Sequence, residues 1–348
     1  MAELWFVIVT AMLTIYVVLD GFDFGAGALH LFVAKTDQER REVLAAVGPF
    51  WDGNEVWLIA TGGVLFTAFP AVLASGLSGF YLAIFLVLWL LVLRGISIEL
   101  RSHVPHALWR SAWDAGFGIA SMLLPVLFGA ALGNLVRGLP IDANGWFSLS
   151  LFTDFTAASP VGILDWYTVS AAAFAGLVII AHGAVFLAWK TAGSVQRRSR
   201  RAAPGLFGAV TVLLPLLTIA TARVNAPMLS AVAHRPLAWL ALGAAVSGLA
   251  AVWLSLRNGR PLSAFLGSCA FIAGMLSATA ACLFPVMLRA MDDEARSLSV
   301  YNASVPHDSL RIAFAWWLVG FPLAILYFVV LFRMHRGPVS AATGSDGY

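Results

Sequence analysis

Residues 5–33 read WFVIVTAMLTIYVVLDGFDFGAGALHLFV, an apolar run whose only acids and histidine are Asp20, Asp23 and His30. About 20 apolar residues in a helix cross the hydrocarbon core of a bilayer, so this run is long enough to span. It is too long for the apolar region of a cleavable leader, and no positive side chain precedes it in Met1-Ala2-Glu3-Leu4. The segment is expected to remain as a first spanning helix.

The rest of the chain follows the same pattern. Of 348 residues, 60% are hydrophobic and 11% charged, and the mean hydropathy is +0.87. A soluble domain carries about 25% charged residues, so soluble enzymes, nucleic-acid binders and disordered chains are excluded. The net charge of +3 does not point to nucleic acid, because the basic residues lie between apolar runs. Cys269 and Cys282 are 13 positions apart in one apolar run, roughly 20 Å along a helix. No disulfide or cysteine metal site is expected.

Apolar runs place nine spans, at about 5–33, 50–74, 77–99, 114–136, 162–189, 205–223, 236–256, 262–288 and 310–332. A turn at Ala74-Ser75-Gly76 would make spans two and three antiparallel neighbours. The longest connection is 137–161, and residues 340–348 form a short polar tail. The expected fold is an all-α polytopic membrane protein in a single membrane domain.

Basic residues then orient it. Lys35, Arg40, Arg41, Arg94, Arg101, Arg110, Lys190, Arg197, Arg198, Arg200, Arg201, Arg257, Arg260, Arg333 and Arg336 fall on one side, 15 of the 21. Arg137, Arg223, Arg235, Arg289, Arg296 and Arg311 fall on the other. The N-terminus is expected outside and the C-terminus in the cytoplasm.

Charged groups at membrane depth cost a few kcal/mol each and are functional candidates. Asp20 and Asp23 share a helical face three residues apart, and His30 lies two turns further on. Gly21 and Gly25 form a small-xxx-small pair that lets another backbone approach. In Pro49-Phe50-Trp51-Asp52-Gly53-Asn54-Glu55-Val56-Trp57, Asp52 and Glu55 again share a face. Pro49 reads as a first-turn proline, so these acids could simply favour the positive end of the helix dipole. Arg94 and Glu99 are about 140° apart around span three, so Arg94 is expected to meet an acid from another span. Asp114 opens span four. All these acids lie toward the cytoplasmic side, which suits proton or cation uptake; a packing role for them remains the alternative. Of seven histidines only His30 and His182 lie in spans, a poor supply of haem ligands. No phosphate loop or nucleophile elbow occurs.

Asp20-Gly21-Phe22-Asp23-Phe24-Gly25 and Phe50-Trp51-Asp52-Gly53-Asn54-Glu55-Val56-Trp57-Leu58 together resemble subunit II of the cytochrome bd-type quinol oxidases. The resemblance extends through Thr61-Gly62-Gly63, Phe69-Pro70, Ser78-Gly79-Phe80-Tyr81, Arg94 and Glu99-Leu100-Arg101-Ser102. It continues in Trp109-Arg110, Trp113-Asp114, Phe128-Gly129, Gly133-Asn134, Phe284-Pro285 and Asn302-Ala303-Ser304. The first 140 residues match best.

That resemblance implies nine helices, as two four-helix bundles plus one peripheral helix, in a bacterial cytoplasmic (inner) membrane. It implies a partner subunit I that carries haem b and haem d and oxidises quinol, making the pair a quinol:oxygen oxidoreductase that is electrogenic through vectorial protons. Subunit II would bind no haem or metal itself, stabilise the partner and supply a cytoplasmic proton path, whose matching acid is Asp52. Glu55, Asp20, Asp23, Asp114 and Glu99 are further candidates on that path, with Arg94 as a structural charge. Some members hold a structural quinone in subunit II, though no motif assigns its residues here. Lipid and small single-span accessory subunits are further partners of the family, and nucleic acid is not. A stand-alone transporter or channel using the same acids is the alternative.

Overall fold

The computed structural model describes residues 1–339; the expected polar tail at 340–348 lies outside the described residues. Twelve α-helices dominate it. In chain order they are α1 (Ala2–Val33), α2 (Asp37–Val47), α3 (Trp51–Ala68), α4 (Pro70–Gly79), α5 (Tyr81–Leu100) and α6 (Ala107–Arg137). There follow α7 (Trp166–Lys190), α8 (Gly193–Val224), α9 (Ala226–His234), α10 (Pro236–Arg257), α11 (Pro261–Leu283) and α12 (His307–Met334). A two-stranded antiparallel ribbon, β1 (Val286–Leu288) with β2 (Leu298–Ser299), pairs Val286 with Ser299 and Leu288 with Leu298.

Eight helices, namely α1, α5, α6, α7, α8, α10, α11 and α12, are long and apolar enough to cross a membrane. The remaining expected span is α3, whose 18 residues reach about 27 Å and whose first turns carry Asp52, Asn54 and Glu55. Contacts at both of its ends lay it along α12. At its start, Phe50 stacks on Phe332 at 4.7 Å; at its end, the Ala68 carbonyl accepts from the Val305 amide at 3.1 Å.

Further contacts sort helix ends to two faces. Trp5 Nε1 donates to the Leu310 carbonyl at 3.1 Å, and Asn225 Nδ2 donates to the Val136 carbonyl at 2.7 Å. These join the starts of α1 and α12 and the ends of α6 and α8 on one face. On the opposite face, Arg198 donates to the Val33 carbonyl at 2.7 Å and Lys190 Nζ donates to the His335 carbonyl. This second face, the basic end below, carries the loops with most of the Lys and Arg.

Helices α1, α3, α5 and α6 pack as one bundle and α7, α8, α10 and α11 as a second, joined along α1–α7 and α6–α7. Helix α12 lies outside both, with only Leu310 buried. The α1–α7 seam depends on glycine: a Cβ on Gly25 would stand 2.1 Å from the Ile179 carbonyl, and one on Gly183 2.1 Å from the Gly25 carbonyl carbon. Only backbone without side chains fits there.

Several boundaries differ from the sequence reading. The turn expected at Ala74–Gly76 is instead inside α4, and the chain breaks at Phe69–Pro70 and Phe80. Pro70 has no amide hydrogen to donate, so it starts a new helix at its first position rather than continuing α3. The span expected at 262–288 stops at Leu283, because Pro285 follows and Val286–Leu288 pairs as strand β1. Helix α8 begins at Gly193, so Arg197–Arg201 are helical and only Thr191 and Ala192 separate α7 from α8. Pro49 precedes the α3 N-cap, Phe50, and is not in the first turn. Asp114 lies two turns inside α6, which starts at Ala107.

Helix α2 was not anticipated, since its polar sequence carries no spanning signal. A capping box starts it: the Thr36 hydroxyl accepts from the Glu39 amide while Glu39 accepts from the Thr36 amide.

Candidate functional site

The half of α1 nearest the basic end is enclosed on all sides, with every residue from Asp20 to His30 buried. Two helices, α3 and α5, converge on its two aspartates. From α5, Arg94 donates through Nη1 to Asp20 at 2.6 Å and through Nη2 to Glu55 of α3 at 2.5 Å. Its guanidinium carbon sits 4.4 Å above the Phe24 ring. The side chains of Arg94 and Asp20 are fully buried, and that of Glu55 is 21% exposed.

Asp23 has a different partner. Asn54 Nδ2 donates to its Oδ2 at 2.7 Å and to the Leu19 carbonyl at 3.1 Å. No cation forms an ion pair with Asp23 among the described residues, so the junction sets three acids against one guanidinium, which bonds two of them. Around them Tyr16 Oη, Asp20 Oδ2, Asp23 Oδ1, Asn54 Oδ1 and Arg94 Nε are buried without a hydrogen bond to another protein group. Polar atoms at such depth are ordinarily satisfied by ordered water.

Asp52 and Glu99 occupy the approach to this cluster. Both are exposed, and both line a cleft of about 450 Å³ at the basic end together with Pro49, Trp51, Gly53 and Tyr327. Asp52 stands one helical turn before Glu55, a rise of about 4.5 Å. Cleft, Asp52, Glu55, Arg94 and Asp20 therefore form a file of polar groups from the basic end toward membrane depth. No side chain caps α3, so Asp52 is free of the N-cap role.

Asp114 belongs to a separate cluster. It accepts from Arg101 Nε at 2.6 Å and Nη2 at 3.1 Å, from Arg40 Nη1 at 2.8 Å, and pairs with His30 Nε2 at 2.7 Å. Arg101 also reaches Asp37 at 2.8 Å, and Arg41 and Arg110 pair with Asp37 at 2.5 and 3.2 Å. Partial burial works against an ionised Asp37, but the Arg41 and Arg101 hydrogen bonds outweigh it and hold that carboxyl below its usual range. Nearby, the Arg198 hydrogen bond holds Glu39 low as well. These pairs clamp α2 to α5, α6 and α8.

The two intramembrane histidines do not meet. His182 Nε2 donates to the Val18 carbonyl at 3.0 Å, and its Nδ1 pairs with the Ser268 hydroxyl at 2.6 Å. Its ring stacks on Phe265 at 5.1 Å. Among the described residues no group of three or more His, Cys, Asp or Glu could hold a metal ion.

Sequence reasoning missed the partners. Asn54 appears there only as one residue of the 49–57 motif, and Tyr16 lies unremarked in the first apolar run. A buried acid inside a helix signals a counter-charge, which could have nominated Arg101 for Asp114. Arg40 could not be found that way, because its approach depends on the fold of α2.

Known proteins resemble this chain along nearly its whole length. The sequence model of the family described as cytochrome bd terminal oxidase subunit II matches residues 1–335. Cytochrome bd ubiquinol oxidase subunit 2 of Bacillus subtilis is 31% identical over 350 residues, covering 97% of this chain and 98% of that protein. Cytochrome bd-I ubiquinol oxidase subunit 2 of Escherichia coli is 37% identical over 226 residues, or 64% of this chain. The chain spans just over half, 56%, of that relative's length. The bd oxidase of Geobacillus thermodenitrificans has the same fold, with a TM-score of 0.74 at 18% identity over 96% of this chain and 98% of that one. With two dense motifs, eight helices long and apolar enough to cross a membrane and a family match over residues 1–335, the chain belongs to the cytochrome bd terminal oxidase subunit II family.

Proposed function

We propose that this chain is the haem-free subunit of a quinol:oxygen oxidoreductase in a bacterial cytoplasmic membrane, where it stabilises a haem-bearing subunit I and brings it protons from the cytoplasm. The observation that carries this reading is the polar file from the Asp52–Glu99 cleft through Glu55 and Arg94 to Asp20. Reducing O₂ to two waters consumes four protons, and a region without bulk water delivers them through carboxylates and ordered water.

Each side chain then has a task. Asp52 exchanges protons with water at the cleft, with Glu99 on the same wall. Glu55 is the next carboxylate, one turn deeper. Arg94 stays charged and holds Glu55 and Asp20 in place with its fork. Three acids around one cation leave the cluster short of positive charge. Asp114, clamped by two guanidiniums and an imidazole, serves assembly of the basic end rather than transfer.

The haems would supply O₂ chemistry from the partner. Placing the haems in the partner is supported by the histidines here: both ring nitrogens of His182 and Nε2 of His30 already have protein partners, leaving only His30 Nδ1 without one. A structural quinone has no assignable residues. The family membership gives no support to a stand-alone transporter.

Asp52→Asn tests the path. It keeps the size of the side chain and removes titration. The purified complex is expected to assemble with full haem content while quinol-oxidase turnover falls on the order of 100-fold. If Asp52 serves only the helix dipole, turnover per haem stays normal and stability drops by about 1 kcal/mol or less; that result would sink the proton role.

Orientation is tested independently. With the basic end in the cytoplasm, a reporter active only in the periplasm and fused after Arg336 is expected to be silent. A signal there would put the cleft on the wrong side for proton uptake.

A further inference from the structure

Acidic residues are absent from a long part of this chain. All 18 lie within 1–165 or 292–348, so positions 166–291 hold ten basic residues and no acid. Seven of the ten, Lys190, Arg197, Arg198, Arg200, Arg201, Arg257 and Arg260, are at the basic end. Arg198 pairs with Glu39 at 2.8 Å, and Lys190 turns inward to the His335 carbonyl. The other five are exposed, and none forms an ion pair among the described residues.

The fold gathers these guanidiniums at one corner. Arg200 Nη2 donates to the Gly259 carbonyl at 3.4 Å, which seats the first turns of α8 beside the α10–α11 turn. Gly259 adopts φ +66° there, which puts Arg257 and Arg260 on either side of the bend. Arg197 has only the Ser194 hydroxyl, at 2.9 Å. Toward the membrane interior the surface changes character: Leu254, Leu262 and Leu266 are 59%, 43% and 56% exposed. Cations thus stand at the membrane boundary directly above exposed leucines.

Uncompensated like charges repel, and an anion supplied from outside relieves that repulsion. A free inorganic anion would use the arginines and leave the leucines unexplained. An acidic protein segment would meet apolar surface where it needs polar partners. We propose that this corner binds an anionic glycerophospholipid, its phosphodiester on Arg200, Arg257 and Arg260 and its acyl chains along Leu254, Leu262 and Leu266. Basic pockets at the cytoplasmic ends of spanning helices recognise lipid head groups in this way. The inference needs only the membrane fold and stands apart from the proton path.

The test is a lipid titration of the purified, delipidated complex in detergent, read by native mass spectrometry. Phosphatidylglycerol is the probe and phosphatidylcholine the zwitterionic control. Wild type is expected to bind phosphatidylglycerol at least about tenfold more tightly than phosphatidylcholine. The triple variant R200Q/R257Q/R260Q is expected to lose about fivefold per arginine, about 100-fold in all. Arg223→Gln removes an exposed arginine at the opposite end and should leave binding unchanged. Thermal melts without lipid check the fold: the triple variant should melt with wild type and lose only the rise that phosphatidylglycerol induces. If the triple variant misfolds, Arg257→Gln alone carries the test with its fivefold loss. The proposal falls if the two lipids bind equally, or if a folded variant keeps wild-type selectivity. It also falls if millimolar inorganic phosphate displaces the lipid, if Arg223→Gln loses as much, or if the variant sheds a protein subunit instead of lipid.

Discussion

Replacing Arg94 with alanine is expected to remove the chain from the membrane almost completely. Arg94 is the only cation reaching the acids at the α1–α3–α5 junction among the described residues, bonded to Asp20 at 2.6 Å and Glu55 at 2.5 Å with no exposed surface of its own. Taking one partner from a buried ion pair costs about 3–5 kcal/mol, because the remaining charge is left unpaired in a low-dielectric interior. That is a large fraction of a typical folding free energy of about 5–15 kcal/mol. Immunoblots of membranes, and the haem content of the purified complex, would measure the loss. Arg94→Lys should recover only part of it, since one ammonium cannot match a fork that serves two helices. Neutralising both of its bonded acids in the same chain (R94M with D20N and E55Q) should restore accumulation, because neither carboxylate that Arg94 bonds is then left as an unpaired charge. Wild-type levels of the alanine variant would show that the ion pairs are not what holds these helices together.

The second large effect is expected at Gly183. An added Cβ would lie 2.1 Å from the Gly25 carbonyl carbon and 2.4 Å from the Ala26 nitrogen, a collision with backbone that no rotamer change relieves. Overpacking a well-filled interior costs about 1–3 kcal/mol and occasionally more, and a backbone clash belongs at the upper end. Gly183→Ala should therefore lower the melting temperature of the purified complex by several degrees and reduce its yield. Gly208→Ala in α8 is the matched control, because nothing lies within 4 Å of its added Cβ and alanine is the better helix former. Similar melting of the two variants would mean that α1 and α7 do not approach as closely as described.

These two sites also show what a single sequence discloses. Gly21 and Gly25 announced a close helix contact by their spacing, but the partner, Gly183, lies some 158 positions away and carries no matching signal. Angular spacing on one helix ruled out an Arg94–Glu99 pair. It could not select Asp20 and Glu55, 74 and 39 positions away, because that choice depends on how α1, α3 and α5 assemble.

Hydropathy found the membrane runs and misjudged their ends. It averages over Pro70 and Pro285, where loss of an amide donor breaks the helix. It is also blind to α2, which is polar and gains its place through its Thr36 cap and its ion pairs. Asp20, Asp23, Asp52, Glu55, Glu99 and Asp114 were all visible as candidates. Their division into an open file and a clamped cluster was not, because it turns on partners that the fold brings near: Asp114 meets Arg101, Arg40 and His30, and Glu99 has no ion pair among the described residues.

The central claim is that this chain works only beside a haem-bearing subunit. The most direct test is to tag the chain, solubilise native membranes in mild detergent, purify through the tag, and record the haem spectrum and subunit composition of the product. The account predicts a partner of roughly equal size, stoichiometric with this chain, carrying every haem band and oxidising quinol with O₂. Recovery of the chain alone or as copies of itself, folded but without haem or oxidase activity, would contradict it.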